Sequence, residues 1–174
     1  MKDHSASGTG RRRNARVMLA VALGAGFLLV GVAVATPGIG ILSAPVHARG
    51  TLDDHQVVNS TSGVHLKTKG SVDVATQQIV MAGGGSTGWH SHPGPVLVTV
   101  KSGALRLIYA DDLTCTGTVY EAGDSFIDRG DAVTHVARNV SQTENVELWA
   151  TYLVPGVPGT TGFRNDVSPA PNNC

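Results

Sequence analysis

Between Val64 and Val154 the chain never sustains a helical repeat. It breaks into short Val- and Thr-rich runs, each ended by a turn signal. The runs fall at roughly 64–68, 72–82, 95–101, 104–110, 117–121, 124–128, 133–138 and 145–154, and Gly83-Gly84-Gly85, Ser102-Gly103, Asp111-Asp112 and Gly130-Asp131 separate them. β-Branched residues fit a pleated, half-buried surface, whereas Gly and Asp fit tight connections. Short strands with turns at this spacing predict an all-β sandwich or barrel. With 22 Gly and 8 Pro in the chain, little helix-forming material is left to compete.

Side chains alternate along a strand, so Val96, Val98 and Val100 share one face and Leu97, Thr99 and Lys101 the other. Lys101 marks the solvent side, and the valines are expected to point inward. Gly103 is expected to form a hairpin turn between its two flanking strands. Trp149 and Tyr152 fall on opposite faces of the last run, so one belongs to the core.

Before this region the chemistry changes. Lys2, Arg11, Arg12, Arg13 and Arg16 precede Val17–Ala35, 19 residues without a charge. That run is long enough to cross a bilayer as a helix, and flanking positive charge favours an inside N-terminus. A secretory signal has the same parts, with cleavage after Ala35 or Ala48. Both readings divide the chain into a basic cytoplasmic tail (1–16), a membrane span or signal core (17–36), a linker with at most one short strand (37–63), and a barrel with its tail (64–174). Both also place residues 50–174 outside the cytoplasm, as a unit expected to fold alone. From residue 36 onward 8 Lys and Arg face 12 Asp and Glu, a net charge of −4. No basic patch with interleaved aromatics remains there, which argues against nucleic-acid binding. The two cysteines, Cys115 and Cys174, both lie in the exported part. An even count in an oxidising compartment favours a disulfide between them.

The chemistry concentrates in Gly84-Gly-Ser-Thr-Gly-Trp-His90-Ser-His92-Pro-Gly-Pro-Val96. Two His at i, i+2 on a strand share a face and can chelate one ion. The segment resembles the first motif of the cupin superfamily: Gly, five residues, His-x-His, three or four residues, Glu, six residues, Gly. Gly84, His90, His92 and Gly103 occupy the matching places, and Gly123, His135 and Asn139 match the second motif. The resemblance covers about residues 70–155. It implies a double-stranded β-helix (jelly-roll barrel), here preceded by the one N-terminal hydrophobic helix expected from Val17–Ala35, with His90, His92 and His135 as metal ligands facing the cavity. Two departures stand out. Val96 occupies the Glu position, and the second motif lacks its Pro and is one residue longer between Gly123 and His135.

Three imidazoles suit one divalent transition metal, Fe, Zn, Cu, Ni or Mn, and bind it in the neutral form, so protons should compete near the ordinary His value of about 6.5. Lacking a carboxylate, the ion would keep its charge and favour a small anionic ligand or substrate. Two functions stay open: a metal enzyme like the three-His dioxygenases among cupins, or a non-catalytic ligand- or metal-binding barrel. An enzyme needs a proton-transfer group near the ion, and Glu147 is the candidate if it faces inward. Membrane association would run through the N-terminal segment, and a homo-oligomer is compatible with everything above. Ser86, in a Gly-x-Ser-x-Gly context, lacks the following helix that a nucleophile elbow needs. Asn59 and Asn139 begin glycosylation sequons. His4, His47, His55 and His65 are expected to be solvated, and Trp89 to lid the cavity mouth or cap the barrel end.

Overall fold

The computed structural model describes residues 37–156, 162–171 and 174. The basic tail, the apolar segment 17–36 and His4 lie outside the described residues. Among the described residues thirteen strands follow one another: β1 (Ile39–Ser43), β2 (Val46–Leu52), β3 (Val57–Asn59), β4 (His65–Lys67), β5 (Val72–Ser86), β6 (His90–Ser91), β7 (Val96–Ser102), β8 (Ala104–Tyr109), β9 (Thr118–Glu121), β10 (Ser125–Asp128), β11 (His135–Asn139), β12 (Val146–Pro155) and β13 (Asn165–Asp166). The all-β expectation holds.

Strands β10, β7, β12 and β5 lie side by side in one layer, and β9, β8 and β11 in the other, with β6 and β13 continuing beyond β11. The 15-residue β5 joins the layers, pairing with β12 from Val72 to Met81 and with β11 at Ser86. All of these pairings are antiparallel, and together they make the expected jelly-roll barrel. Strict alternation builds its interior. Along β7 the valines at 96, 98 and 100 are buried while Leu97, Thr99 and Lys101 are exposed, and β12 alternates in the same way over ten residues. Tyr152 is therefore inside, and Trp149 lies on the outer face, stacked against His47.

The structure corrects two expectations about connections. Strands β7 and β8 do not pair with each other; β7 pairs with β10 and β12, and β8 with β9 and β11. The Gly103 turn is a corner that carries the chain between layers, not a hairpin. Its φ of +78° suits glycine, and a Cβ there would stand 2.9 Å from the Asn145 carbonyl oxygen.

The second correction concerns residues 37–63. This stretch is not a linker. Strands β1 and β2 both pair with β5, covering an edge that would otherwise be bare, and β3 pairs with β4 as a separate hairpin. Arg49 of β2 donates from Nε at 3.0 Å to each oxygen of buried Asp73 on β5 and lies over the Phe163 ring. Both strands are largely exposed and lack a buried alternation, so the pattern that revealed the barrel strands is missing. The barrel unit thus begins before residue 50.

The expected disulfide is present. Cys115 and Cys174 are bonded across 59 residues, which ties the end of the tail to the β8–β9 loop.

Candidate metal centre

Period-two geometry and one strand pairing bring three histidines together. His90 opens β6, and His92 follows two residues on, facing the same way. His135 opens β11, which pairs with β6 so that His135 stands opposite His90. All three are buried, and their candidate ligand atoms lie within 4.8 Å of one another.

The rings are oriented by the backbone. Nδ1 of His90 lies 2.8 Å from the Gly88 carbonyl oxygen, that of His92 2.5 Å from Phe163, and that of His135 3.3 Å from Val133. A carbonyl can only accept, so in His90 and His92, whose contacts are close, Nδ1 carries hydrogen and donates. In those two rings, when neutral, Nε2 is then the atom with a free lone pair. Metal-ligating histidines usually have their second nitrogen fixed in this way. Burial, with the charges of His135, Arg164 and His92, lowers the His90 imidazole to about 2. Burial also lowers His92, against the opposing pull of the Phe163 carbonyl. These two rings resist protonation, so protons compete for them below the ordinary His range and not at it.

A fourth group at this centre was not anticipated. Asp128, the last residue of β10, is 2% exposed. Its Oδ1 accepts from the Gly130 amide at 3.0 Å, and its Oδ2 lies 2.9 Å from His135 Nε2 and 3.8 Å from His92 Nε2. Burial pushes its carboxyl upward. The hydrogen bond and charge of His135, with the Gly130 amide, outweigh that and hold it below the ordinary carboxylate range. Gly130 is constrained in turn: its φ is +69°, and a Cβ would meet the Gly94 carbonyl carbon at 2.1 Å. The sequence did carry a cue. Phe126 and Asp128 alternate with Ser125 and Ile127, so a core-facing Phe126 implies an inward Asp128.

Glu147, the carboxylate singled out from the sequence, faces the other way. It accepts from Gln78 at 2.7 Å, Trp149 at 3.0 Å and Lys101 at 3.1 Å on the outer surface, because its neighbours Val146 and Leu148 take the inward positions. Trp89 is buried and packs with Ile108 and Val136 in a cluster separate from the main core. His47, His55 and His65 are exposed, as expected. Ser86 Oγ accepts from the Gly88 amide, a turn contact. Asn139 is buried, and its Nδ2 donates to the carbonyls of Ala82 and Glu144, a structural role that leaves no amide for a glycan.

A cavity of about 440 Å³ reaches His90 and His92 from outside. Its wall includes Gln77, Ile79, Thr87, Tyr152, Phe163 and Arg164. Tyr152 donates its hydroxyl to Gln77 Oε1 at 2.9 Å, and burial pushes its phenol up to about 12. Arg164 donates to the Thr87 carbonyl at 2.7 Å and to Asp166 at 2.6 Å.

A family model described as Cupin domain matches residues 77–152, a span that holds all three histidines and Asp128. Over that span the chain matches the cupin domain, the family its two motifs resemble. Among solved structures it is similar to a cupin-like protein from Thermotoga maritima (18% identity, TM-score 0.44), covering 55% of this chain and 65% of that one, less than two thirds of its length. It is also similar to an uncharacterised conserved protein with a double-stranded β-helix domain from Klebsiella pneumoniae (21% identity, TM-score 0.43, covering 65% of this chain and 82% of that one). An oxalate oxidase in complex with the substrate analogue glycolate matches at 24% identity and TM-score 0.36, covering 45% of this chain and 41% of that one. No curated protein matches the chain significantly. In this chain the position that the cupin motif gives to Glu is a buried valine, Val96, directly paired with Asp128 of the neighbouring strand.

Proposed function

We propose that this chain is an extracytoplasmic binding barrel in which His90, His92 and His135 hold one divalent transition metal and the adjoining cavity admits a small organic anion. One observation carries the reading: three buried imidazoles bring their candidate ligand atoms within 4.8 Å of one another, and backbone carbonyls hold Nδ1 of His90 and His92. Neutral imidazoles suit a borderline-soft dication. When bound, such an ion supplies positive charge and Lewis acidity at the cavity floor. Arg164 adds a cation at the wall, and Ile79 and Phe163 offer apolar surface for the rest of the molecule. The disulfide supports an oxidising compartment, which agrees with export through residues 17–36 as anchor or cleaved signal. Turnover of the bound molecule is a second reading, favoured by a cavity that opens directly onto His90 and His92.

Elemental analysis of the purified protein tests the first reading. About one equivalent of metal is expected, and Ala at any one of the three histidines should abolish it, while His55→Ala and His65→Ala leave it unchanged. Equal metal in the wild type and the triple-His variant would remove the site.

A further inference from the structure

We infer that Asp128 is the fourth protein ligand of this centre, supplying from β10 the carboxylate that β7 lacks at Val96; the inference rests on the metal reading above. Asp128 and Val96 are cross-strand partners, so their side chains stand side by side on the same inner face. The carboxylate thus occupies the neighbourhood in which the first motif would have placed its Glu. The two departures from the family pattern fit together. The residues after Asp128 form a tight loop in which Gly130, Asp131 and Ala132 all have positive φ (69°, 50° and 61°), and the Ala132 amide donates to the His92 carbonyl at 3.1 Å. This loop lies in the segment that is one residue longer than the motif, and it fixes both Asp128 and His92.

The distances suit a shared ion. Two ligands about 2.1 Å from one metal stand roughly 3.0 Å apart at a right angle and about 3.4 Å apart at a tetrahedral angle. Asp128 Oδ2 lies 2.9 Å from His135 Nε2 and 3.8 Å from His92 Nε2, on either side of that range. The Gly130 amide holds Oδ1, which leaves Oδ2 as the inward atom. His135 turns its Nε2 to the carboxylate, 2.9 Å away, while its Nδ1 stands 3.3 Å from the Val133 carbonyl oxygen. An imidazole nitrogen and a carboxylate oxygen 2.9 Å apart share a hydrogen bond in the metal-free protein, and a dication can take the place of that hydrogen in the loaded one. Among the described residues, the ion pairs of Asp128 are with His135 and His92, and no Lys or Arg neutralises it. Buried charges are paired or bind metals. Three imidazoles and one carboxylate offset part of the dication charge, and they suit Fe(II) or Mn(II) better than imidazoles alone.

The alternative role predicts the opposite sign. As a mere hydrogen-bond partner of His135 Nε2, Asp128 would have to be evicted by the metal, and its removal would leave affinity unchanged or tighter. The test uses the full chain in detergent, stripped of metal and titrated with Co(II) against a chromogenic chelator while the Co(II) visible bands are recorded. Asp128→Asn should weaken binding at least 100-fold and change the spectrum. The double variant Val96→Glu/Asp128→Asn, which returns a carboxylate to the paired position, should recover at least tenfold, and it keeps the test decisive if Asp128→Asn folds poorly. Unchanged or tighter binding in Asp128→Asn overturns the inference, as does a loss that the double variant fails to recover. If the wild type binds no Co(II), the metal reading falls with it. If the triple-His variant loses binding while Asp128→Asn does not, only the fourth ligand is refuted.

Discussion

Acid should unfold the metal-free barrel through His90, and the size of the effect follows from its burial. A histidine in an unfolded chain protonates near 6.5, whereas folded His90 stays neutral down to about 2. Because the folded value is lowered, the unfolded state takes up its proton first as pH falls. The contribution of His90 to stability is intact above 6.5, declines below it, and levels off only near 2. Between pH 6.5 and 4.5 this amounts to roughly 2 kcal/mol from His90, with His92 acting in the same direction. Asp128 does not contaminate that window. Its carboxyl is lowered, so its contribution is lost only below the ordinary carboxylate value of about 3.9. The assay is urea unfolding of chelator-treated protein at both pH values, for wild type and His90→Asn. Asn keeps a donor for the Gly88 carbonyl but has no proton to gain. The wild type should lose about 2 kcal/mol more than the variant across the window. Parallel losses in the two proteins would refute the assignment of the acid sensitivity to His90.

Two further outcomes are expected. Cys174→Ser should lower stability by up to roughly 4 kcal/mol, from the 59-residue separation of the bridged cysteines, and non-reducing peptide mapping of wild-type protein should recover the Cys115–Cys174 cross-link. A fragment starting at residue 50 should show a lower urea midpoint than one starting at residue 37. It lacks β1, most of β2 and the Arg49 partner of buried Asp73, and equal midpoints would show that these strands add nothing.

Much of the barrel was readable before any coordinates, because a strand with one buried face writes its period into the sequence. Val96, Val98 and Val100 were placed inward by alternation with Lys101 marking the solvent side, and Tyr152 and Trp149 were separated by the same alternation. The histidine constellation was readable for a different reason: His90 and His92 are neighbours in the chain, and a motif resemblance linked them to His135. Strands β1 and β2 left no such trace. They gain their order from the edge of β5, so their residues stay exposed and their composition resembles that of a loop.

What the residues determined by themselves was local: strand periodicity, turn positions, the charge asymmetry around Val17–Ala35, and the identity of three imidazoles. Pairing decided the rest. Only the register of β10 on β7 sets Asp128 beside Val96, and only the burial of Val146 and Leu148 sends Glu147 outward. Corner or hairpin at Gly103 likewise depends on which strands its neighbours join. The physical reason is common to all three. A side chain's own chemistry is carried by one residue, but its surroundings are set by a strand that lies 30 or more residues away, as Asp128 lies from Val96.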